Sequence, residues 1–330
     1  MEFQLYNQKR IQKYITKREG ETKLGETIQF VESVEDLKKT EAKYVLVGIP
    51  EDFGVRANYG VGGTQTAWKA FLTKFLNIQE NQYQTGKNIV LLGAFNFSEE
   101  YREKKQTVEE LRTTISKIDQ HVFEVLMPIF KADKVPIIIG GGHNNSYPNL
   151  KAAASGLNKK INCINLDAHA DYRIKEGRHS GNGFRYAKEE GFLEKYYIIG
   201  LHENYNSQSL FDALNIDINI DFTLFEEIKI QKKYTLEDVF KKAEIFTKEN
   251  PIGLELDLDC IEGVLSSAMT PTGFSPNEAR QFIHYFKKNT ETAYLHICEG
   301  AYELESSEKS SFTGKIISYL VSDFIKKERE

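Results

Sequence analysis

Short apolar runs recur along the chain, separated by stretches in which apolar residues return every three or four positions. The runs are rich in Val, Ile, Leu and Tyr, and several end in Gly, Asp or Pro. This composition is typical of buried strands in a parallel sheet. The pattern predicts strands at 44–49, 89–93, 135–139, 161–166, 196–200, 252–258 and 293–298.

The stretch from Thr107 to about Phe130 predicts the clearest helix. Its apolar residues form one stripe at helical spacing: Val108, Leu111, Ile115, Ile118, Val122, Leu126 and Ile129. Thr107 and Glu110 have the spacing of a capping box, and Pro128 should kink or end the helix nearby. Residues 234–248 and 276–287 have the pattern of further helices. Because strands alternate with helices, we expect a doubly wound α/β sheet.

Residues 1–40 are rich in Lys, Glu and Gln and only weakly periodic, which predicts an irregular or partly helical N-terminal extension. Neither an internal repeat nor a long Gly/Ser/Pro linker interrupts the rest, so residues 41–330 are expected to form a single domain. The first 20 residues lack the apolar segment of a secretory signal. No apolar run approaches the roughly 20 residues that a membrane span needs, so no membrane partner is expected.

Composition narrows the class of protein further. The 330 residues are 40% apolar and 28% charged, as in soluble globular proteins. With 43 Lys and Arg against 48 Asp and Glu, the net charge is −5, which argues against nucleic-acid binding. Three cysteines lie in apolar surroundings and are interpreted as reduced core residues of a cytoplasmic protein: Cys163, Cys260 and Cys298.

The segment INLDAHADYR, residues 164–173, carries the strongest chemical signal. If the chain stays extended after the strand, Asp167, His169 and Asp171 point to the same side, because strand side chains alternate. The alanines between them are small and leave room. A solvated turn with incidental charges would explain one acid there, but it explains three ligand-type residues in register poorly. The segment therefore predicts a metal site.

Three more strand ends carry candidate residues. Asp257 and Asp259 repeat the two-residue spacing, and burying two carboxylates is costly unless a cation compensates. Glu255 continues their register inward, and whether it touches the site stays open. His143 follows three glycines, which alone would fit an ordinary strand-to-helix turn. Glu299 closes the last apolar run and alone would be an ordinary strand-end acid.

Together these side chains are expected to meet at one edge of the sheet, because ligand sites form at the carboxyl ends of parallel strands. Four Asp and two His are more ligands than one ion takes. Mixed carboxylate and imidazole ligands suit a divalent metal such as Mn²⁺. Bridging carboxylates could hold two ions about 3.5–4 Å apart. The absence of thiolates argues against structural zinc.

Four motifs resemble those of the ureohydrolases, the family of arginase, agmatinase and formimidoylglutamase. They are GGGH at 140–143, DAHAD at 167–171, ELDLD at 255–259 and TPTGF at 270–274. The resemblance runs from about Tyr44 to Glu303. It implies a three-layer α/β/α domain around a mostly parallel sheet of roughly eight strands. Many members of the family are trimers or hexamers, so a homo-oligomer is expected.

The resemblance also implies the metal ligands. One Mn²⁺ would bind His143 and Asp171, and the other would bind His169 and Asp259. Asp167 and Asp257 would be shared by both ions. Two such cations would produce a hydroxide that attacks the carbon of an amidine or guanidinium.

Two carboxylates are implied as catalytic residues. Asp171 is expected to hydrogen-bond the hydroxide and to relay a proton to the leaving nitrogen. Glu299 matches the family acid that faces the cationic C–N group, which it would orient and hold.

The sequence differs from the arginase motifs at two places, and these differences narrow the range of expected substrates. GGGH lacks the acid of the family's GGDH. In SGNGF, residues 180–184, Phe184 stands where arginases and agmatinases carry a proton-shuttling His, and this form resembles formimidoylglutamase. The substrate of that enzyme has two carboxylates. The candidate substrate-binding residues are therefore Asn182 and three arginines whose side chains suit carboxylates: Arg173, Arg178 and Arg185.

Weaker candidates lie elsewhere. Each of the three arginines, taken singly, is also consistent with a solvated charge in a loop. Arg56 and Asn58 are weaker candidates for substrate binding. His202 could line the site, whereas His296 is expected to be a satisfied core residue.

The favoured reaction converts N-formimidoyl-L-glutamate, a small molecule, and water to L-glutamate and formamide. An arginase- or agmatinase-type hydrolase that releases urea is an alternative. A catalytically silent metal-binding or regulatory protein on the same fold is another, and a two-metal phosphoesterase is a weaker one.

Overall fold

The computed structural model describes residues 1–102 and 106–327. Within these residues one sheet has nine strands, in the order β1-β3-β2-β4-β9-β8-β5-β6-β7. The pairing of β1 with β3 is antiparallel and the other pairings are parallel. The strands are β1 Glu2–Leu5, β2 Tyr44–Gly48, β3 Ile89–Asn96, β4 Val135–Ile139, β5 Ile161–Leu166, β6 Leu193–Leu201, β7 Ile220–Leu224, β8 Ile252–Asp257 and β9 Thr292–Cys298.

Helices connect these strands. They are α1 Gln8–Ile11, α2 Leu24–Thr27, α3 Phe53–Ala57, α4 Ala67–Phe75, α5 Val108–Lys131, α6 Ser146–Leu157, α7 Gly183–Glu189, α8 Gln208–Ile216, α9 Phe225–Lys229, α10 Leu236–Thr247, α11 Pro276–Asn289 and α12 Phe312–Ile325. In residues 1–102 and 106–327, none of them combines the length and the apolar character that crossing a membrane requires.

The helices cover both faces of the sheet. Alternate strand residues enter two apolar cores, with Leu46 in one and Val47 in the other. The first core includes Phe71 of α4, Phe240 of α10, Phe282 of α11 and Leu320 of α12. The second includes Ile118 of α5, Leu150 of α6, Ala187 of α7 and Leu214 of α8. The predicted three-layer α/β/α architecture is thus confirmed.

The predicted elements are present. All seven predicted strands form, and Thr107 caps α5 by accepting a hydrogen bond from the backbone N–H of Glu110. α5 ends at Lys131, shortly after Pro128, as expected. The three cysteines are unpaired and buried.

The sheet has two strands more than the sequence pattern predicted, and both are edge strands. β1 lies in the N-terminal region that was expected to be irregular or partly helical, and it extends the sheet beside β3. β7 is only partly buried. Because an edge strand has one neighbour, it carries fewer apolar residues and leaves a weaker signal. The division into an extension and one domain at 41–330 stays a prediction, and residues 103–105 and 328–330 lie outside the described residues.

Candidate metal centre

Four neighbouring strands deliver the candidate ligands to one place. β4, β9, β8 and β5 are adjacent in the sheet, and their carboxyl ends lead to His143, Glu299, Asp257 and the segment 167–171. The chain reverses sharply before His143, where Gly140 and Gly141 adopt φ of 90° and 79°. Glycine adopts this left-handed region without steric cost.

The carboxylates converge through turns rather than through an extended strand. β5 ends at Leu166, so the alternation expected for Asp167, His169 and Asp171 does not hold, and Asp171 has φ of 45°. Asp167 Oδ1 accepts from the backbone N–H of His169 at 2.7 Å. In the same way Asp257 Oδ1 accepts from the N–H of Asp259 at 2.8 Å. Each two-residue spacing therefore forms a local turn that directs the second oxygen toward the site, and Asp167 Oδ2 also accepts from the Asn165 amide at 2.9 Å.

The first ligand group surrounds Nδ1 of His143. This atom lies 3.1 Å from Asp167 Oδ2, 2.8 Å from Asp171 Oδ2 and 3.1 Å from Asp257 Oδ2. It is buried, and no contact with a described residue has hydrogen-bond geometry. A buried nitrogen and three carboxylate oxygens that face one another without hydrogen bonding fit a shared cation.

The second ligand group contains Asp167, His169 and Asp259. His169 Nδ1 lies 3.2 Å from Asp259 Oδ2 and 3.6 Å from Asp167 Oδ1. Asp259 Oδ1 is buried and lacks a hydrogen-bond partner among the described residues. Asp167 belongs to both groups, as a bridging ligand would, whereas Asp257 is grouped only with the first.

Burial of several carboxylates close together raises their pKa values. Burial, with the charges of Asp259 and Asp167, raises the pKa of Asp257 well above its usual value. Burial and the charge of Asp167 raise the pKa of Asp171 to about 6. Burial raises the pKa of Glu299 to about 8. Divalent cations would offset both the cost of burying these carboxylates and their mutual repulsion.

A cavity of about 160 Å³ opens above the ligands. His169, Asp171, Asp257, Asp259 and Glu299 line it. Its polar wall includes Asn58, Arg173, Ser180, Tyr205, Asn206 and Ser267. A small molecule with a cationic or electron-poor end fits this acidic lining.

The arginines predicted to bind substrate lie in different places. Arg173 lines the cavity, and its side chain is 54% exposed. Arg185 donates to Glu189 Oε1 at 2.5 Å and lies over the ring of Tyr172, away from the cavity lining. Of the weaker candidates, Asn58 lines the cavity and accepts from Arg173 at 3.4 Å, while Arg56 pairs with Asp52 at 3.7 Å.

Arg178 and Asn182, which were also predicted to bind substrate, do not line the cavity. Arg178 is buried, with its Nε 2.8 Å from Asp119 Oδ2 and one terminal nitrogen donating to Asn182 Oδ1 at 2.8 Å. Asn182 donates in turn to the carbonyls of Ile174 and Gly177. These contacts hold the loop that carries Arg173, and substrate binding by Arg178 and Asn182 stays a prediction.

Aromatic rings pack around the ligands. The buried ring of Phe184 lies edge-on to His143, with centroids 5.0 Å apart. His202 is stacked between Tyr205 and Phe225, at 5.1 Å and 4.3 Å, and does not line the cavity. Tyr205 also stacks on His169 at 5.2 Å and does line the cavity. Tyr205 was not predicted from the sequence, since a loop tyrosine has no local signal.

Glu51 is a second residue that the sequence analysis missed. Its buried Oε1 accepts from the N–H of Gly142 at 2.9 Å and from the Asn145 amide at 2.7 Å. A Cβ at Gly142 would lie 2.6 Å from Asn144 Oδ1 and 3.1 Å from Glu299 Oε1. A side chain at 142 would therefore require Asn144 to shift, and the acid beside the glycine turn is Glu51, which follows β2. Its position after a strand, in GIPED, was the available signal.

Glu255 and His296 lie beneath the ligands, fully buried. His296 Nδ1 is 2.6 Å from Glu255 Oε2, so His296 is a satisfied core residue, as expected. Burial opposes ionisation of Glu255, but the rings of His296 and His143 hold the pKa of its carboxyl at about 2. The question left open by the sequence is answered, because Glu255 Oε2 lies 3.4 Å from His143 Nε2.

Comparison with known proteins is consistent with this geometry. The model of the arginase family matches residues 42–322. A formimidoylglutamase of Streptococcus gordonii is 27% identical over 273 residues, which cover 78% of this chain and 77% of that protein. A formimidoylglutamase of Macrococcus caseolyticus is 27% identical over 280 residues, covering 84% and 82%.

Solved structures show the same fold. The formimidoylglutamase from Bacillus subtilis superposes with a TM-score of 0.73 at 18% identity, covering 94% of this chain and 93% of that one. A Trypanosoma cruzi formiminoglutamase with Mn²⁺ gives a TM-score of 0.71 at 21% identity, covering 92% and 97%.

Proposed function

This chain belongs to the arginase family, and we propose that it is a binuclear manganese enzyme that converts N-formimidoyl-L-glutamate and water to L-glutamate and formamide. As a member of this family it is a hydrolase that acts on non-peptide C–N bonds of linear amidines. The observation that carries the choice of a carboxylated substrate is the guanidinium of Arg173 in the wall of a cavity that also contains four acidic residues. The similarity to formimidoylglutamases supports formimidoylglutamate over arginine.

The six predicted ligands fit two divalent ions. His143 and Asp171 would hold one ion and His169 and Asp259 the other, with Asp167 and Asp257 shared by both. Asp167 lies in both groups of ligand atoms, and Asp257 lies in the first. When bound, two such cations lower the pKa of a shared water and supply hydroxide near neutral pH. That the metal is Mn²⁺ and that two ions bind per chain are parts of this proposal.

The carboxylates of the cavity have separate tasks. Asp171 belongs to the first ligand group and also lines the cavity, so its carboxylate can accept the proton of the attacking hydroxide. From there the proton passes to the departing nitrogen, which leaves as a neutral group. Glu299 lines the same cavity, where its carboxylate would orient and hold the cationic formimidoyl group.

Arg173 would bind a carboxylate of the glutamate part. Among the described residues its guanidinium makes long contacts, at 3.4 Å to Asn58 and 3.3 Å to Glu176. A planar guanidinium pairs with a carboxylate through two parallel hydrogen bonds, which are stronger than these. A dicarboxylate substrate can therefore displace the present partners.

Arginine is the second candidate substrate. Glu299 would suit its guanidinium, and its single carboxylate would also match Arg173. Agmatine has no carboxylate, and its amine would face Arg173 with the same charge. A catalytically silent protein is less well supported, because the complete set of ligands has been kept.

The test is to load the protein with Mn²⁺ and to offer formimidoylglutamate, arginine and agmatine in parallel. Release of formamide and glutamate from the first, with about two Mn²⁺ per chain by elemental mass spectrometry, is the expected result. Urea from arginine or agmatine without turnover of formimidoylglutamate would overturn the substrate. Turnover of none of them, with metal bound, would favour a silent protein. A homo-oligomer, trimeric or hexameric, and a cytoplasmic location belong to the same proposal.

A further inference from the structure

The ring of His143 has a carboxylate on each side. Its Nδ1 faces Asp167, Asp171 and Asp257. Its Nε2, on the other side of the ring, lies 3.4 Å from Glu255 Oε2. Nε2 is buried and makes no hydrogen bond to a described residue at this distance. A movement of about half an ångström would bring the pair into the normal range, and an unpaired buried N–H is costly.

Glu255 is held where an acceptor for this ring is needed. Tyr294 donates its hydroxyl to Oε1 at 2.7 Å, and His296 Nδ1 lies 2.6 Å from Oε2. Glu255 on β8 pairs directly with His296 on β9, so both partners come from the neighbouring strand. All of these side chains are fully buried. The carboxylate is therefore fixed by the sheet itself rather than by a loop.

A neutral imidazole has one N–H and one lone-pair nitrogen, and the partner of the N–H decides which is which. We propose that Glu255 is a positioning residue for the metal centre: it accepts Nε2–H of His143 and thereby directs the Nδ1 lone pair at the first ligand group. The inference rests on the metal centre of the proposed function. It adds a residue that touches neither the ions nor the substrate.

The second ligand group has a different environment. Both acidic contacts of His169 are made by Nδ1, and the face of its ring is covered by Tyr205 instead. Loss of Glu255 should therefore weaken the binding of one metal ion and leave the binding of the other unchanged. A merely structural role would weaken both together.

The experiment compares Mn²⁺ binding by the wild type and three variants, by titration calorimetry. Glu255→Gln leaves one acceptor oxygen where His143, Tyr294 and His296 need acceptors. The substitution should weaken the affinity for one of the two Mn²⁺ ions by about 10- to 100-fold and leave the affinity for the other unchanged. Tyr294→Phe should weaken the same ion by less. Tyr197→Phe is the matched control, because this fully buried hydroxyl bonds Thr223 instead, and it should leave both ions unchanged.

Each outcome either supports or overturns the inference about Glu255. Two ions bound by Glu255→Gln with wild-type affinities would overturn the inference and leave the metal centre standing. Equal weakening of both ions would also overturn it. If Glu255→Gln does not fold, equal binding by Tyr294→Phe and Tyr197→Phe rejects the inference, and selective loss in Tyr294→Phe supports it. A wild type that binds no Mn²⁺ would overturn the metal centre as well.

Discussion

The backbone N–H of His143 donates to Oε1 of Glu299 at 2.8 Å, and the N–H of Glu299 donates to the carbonyl of Gly141 at 3.0 Å. This reciprocal pair joins the ends of β4 and β9. It fixes the carboxylate that faces the cavity relative to a metal ligand. Glu299 adopts φ of 61°, a strained conformation for a residue other than glycine. Strain of this kind persists where the surroundings over-determine it, as at functional sites.

Glu299→Gln should lower kcat/KM by about 10- to 100-fold, because a charge-assisted contact with the cationic substrate is lost. Metal content should not change, since Glu299 belongs to neither ligand group. Steady-state kinetics and elemental analysis check both points. Glu303→Gln, which removes a half-exposed charge paired with Lys309, is the control. Wild-type kinetics in Glu299→Gln would contradict the assigned role.

Asp171→Asn should weaken the binding of one metal ion and lower kcat by about 100-fold or more, because it removes both a proposed ligand and the proposed proton relay. The chain should remain folded, since asparagine has the same shape and tolerates positive φ. Circular dichroism and metal analysis by mass spectrometry are the measurements. Asp133→Asn is a matched control at an exposed turn with φ of 55°. Full activity at full metal occupancy in Asp171→Asn would refute the role.

Arg173→Ala should raise KM for formimidoylglutamate by about 10- to 100-fold with little change in kcat, because a charged hydrogen bond to a non-reacting carboxylate is removed. Arg185→Ala should leave both constants unchanged, since Arg185 is paired with Glu189 outside the cavity. Equal effects of the two substitutions would show that Arg173 acts only through general charge.

Asp119→Ala should destabilise the fold by about 3–5 kcal/mol, because it leaves the Arg178 guanidinium buried without its carboxylate. Urea unfolding measures the loss. Glu237→Ala breaks an exposed pair with Lys241 and should leave the midpoint unchanged. If the two variants unfold at the same urea concentration, Arg178 does not anchor the loop that carries Arg173.

The sequence alone determined the layers of the fold and identified the candidate metal ligands. Strands and α5 could be predicted because apolar periodicity is local, and each run of buried residues reports its own burial. The six candidate ligands could be identified because Asp167, Asp257 and their neighbours lie at or just beyond the ends of strands that the pattern had already located. The edge strands β1 and β7 were not predicted, because an edge strand is only partly buried and has a weaker apolar pattern.

Only the tertiary structure decided which of three arginines reaches the cavity. Arg173 and Arg178 lie in one loop and look alike in sequence, but Asp119 on a distant helix captures Arg178. The same holds for Glu51 and Glu255, whose partners lie on other strands. A charged side chain is defined by the group that compensates it. When that group is brought close only by folding, the residue's role cannot be read from its neighbours along the chain.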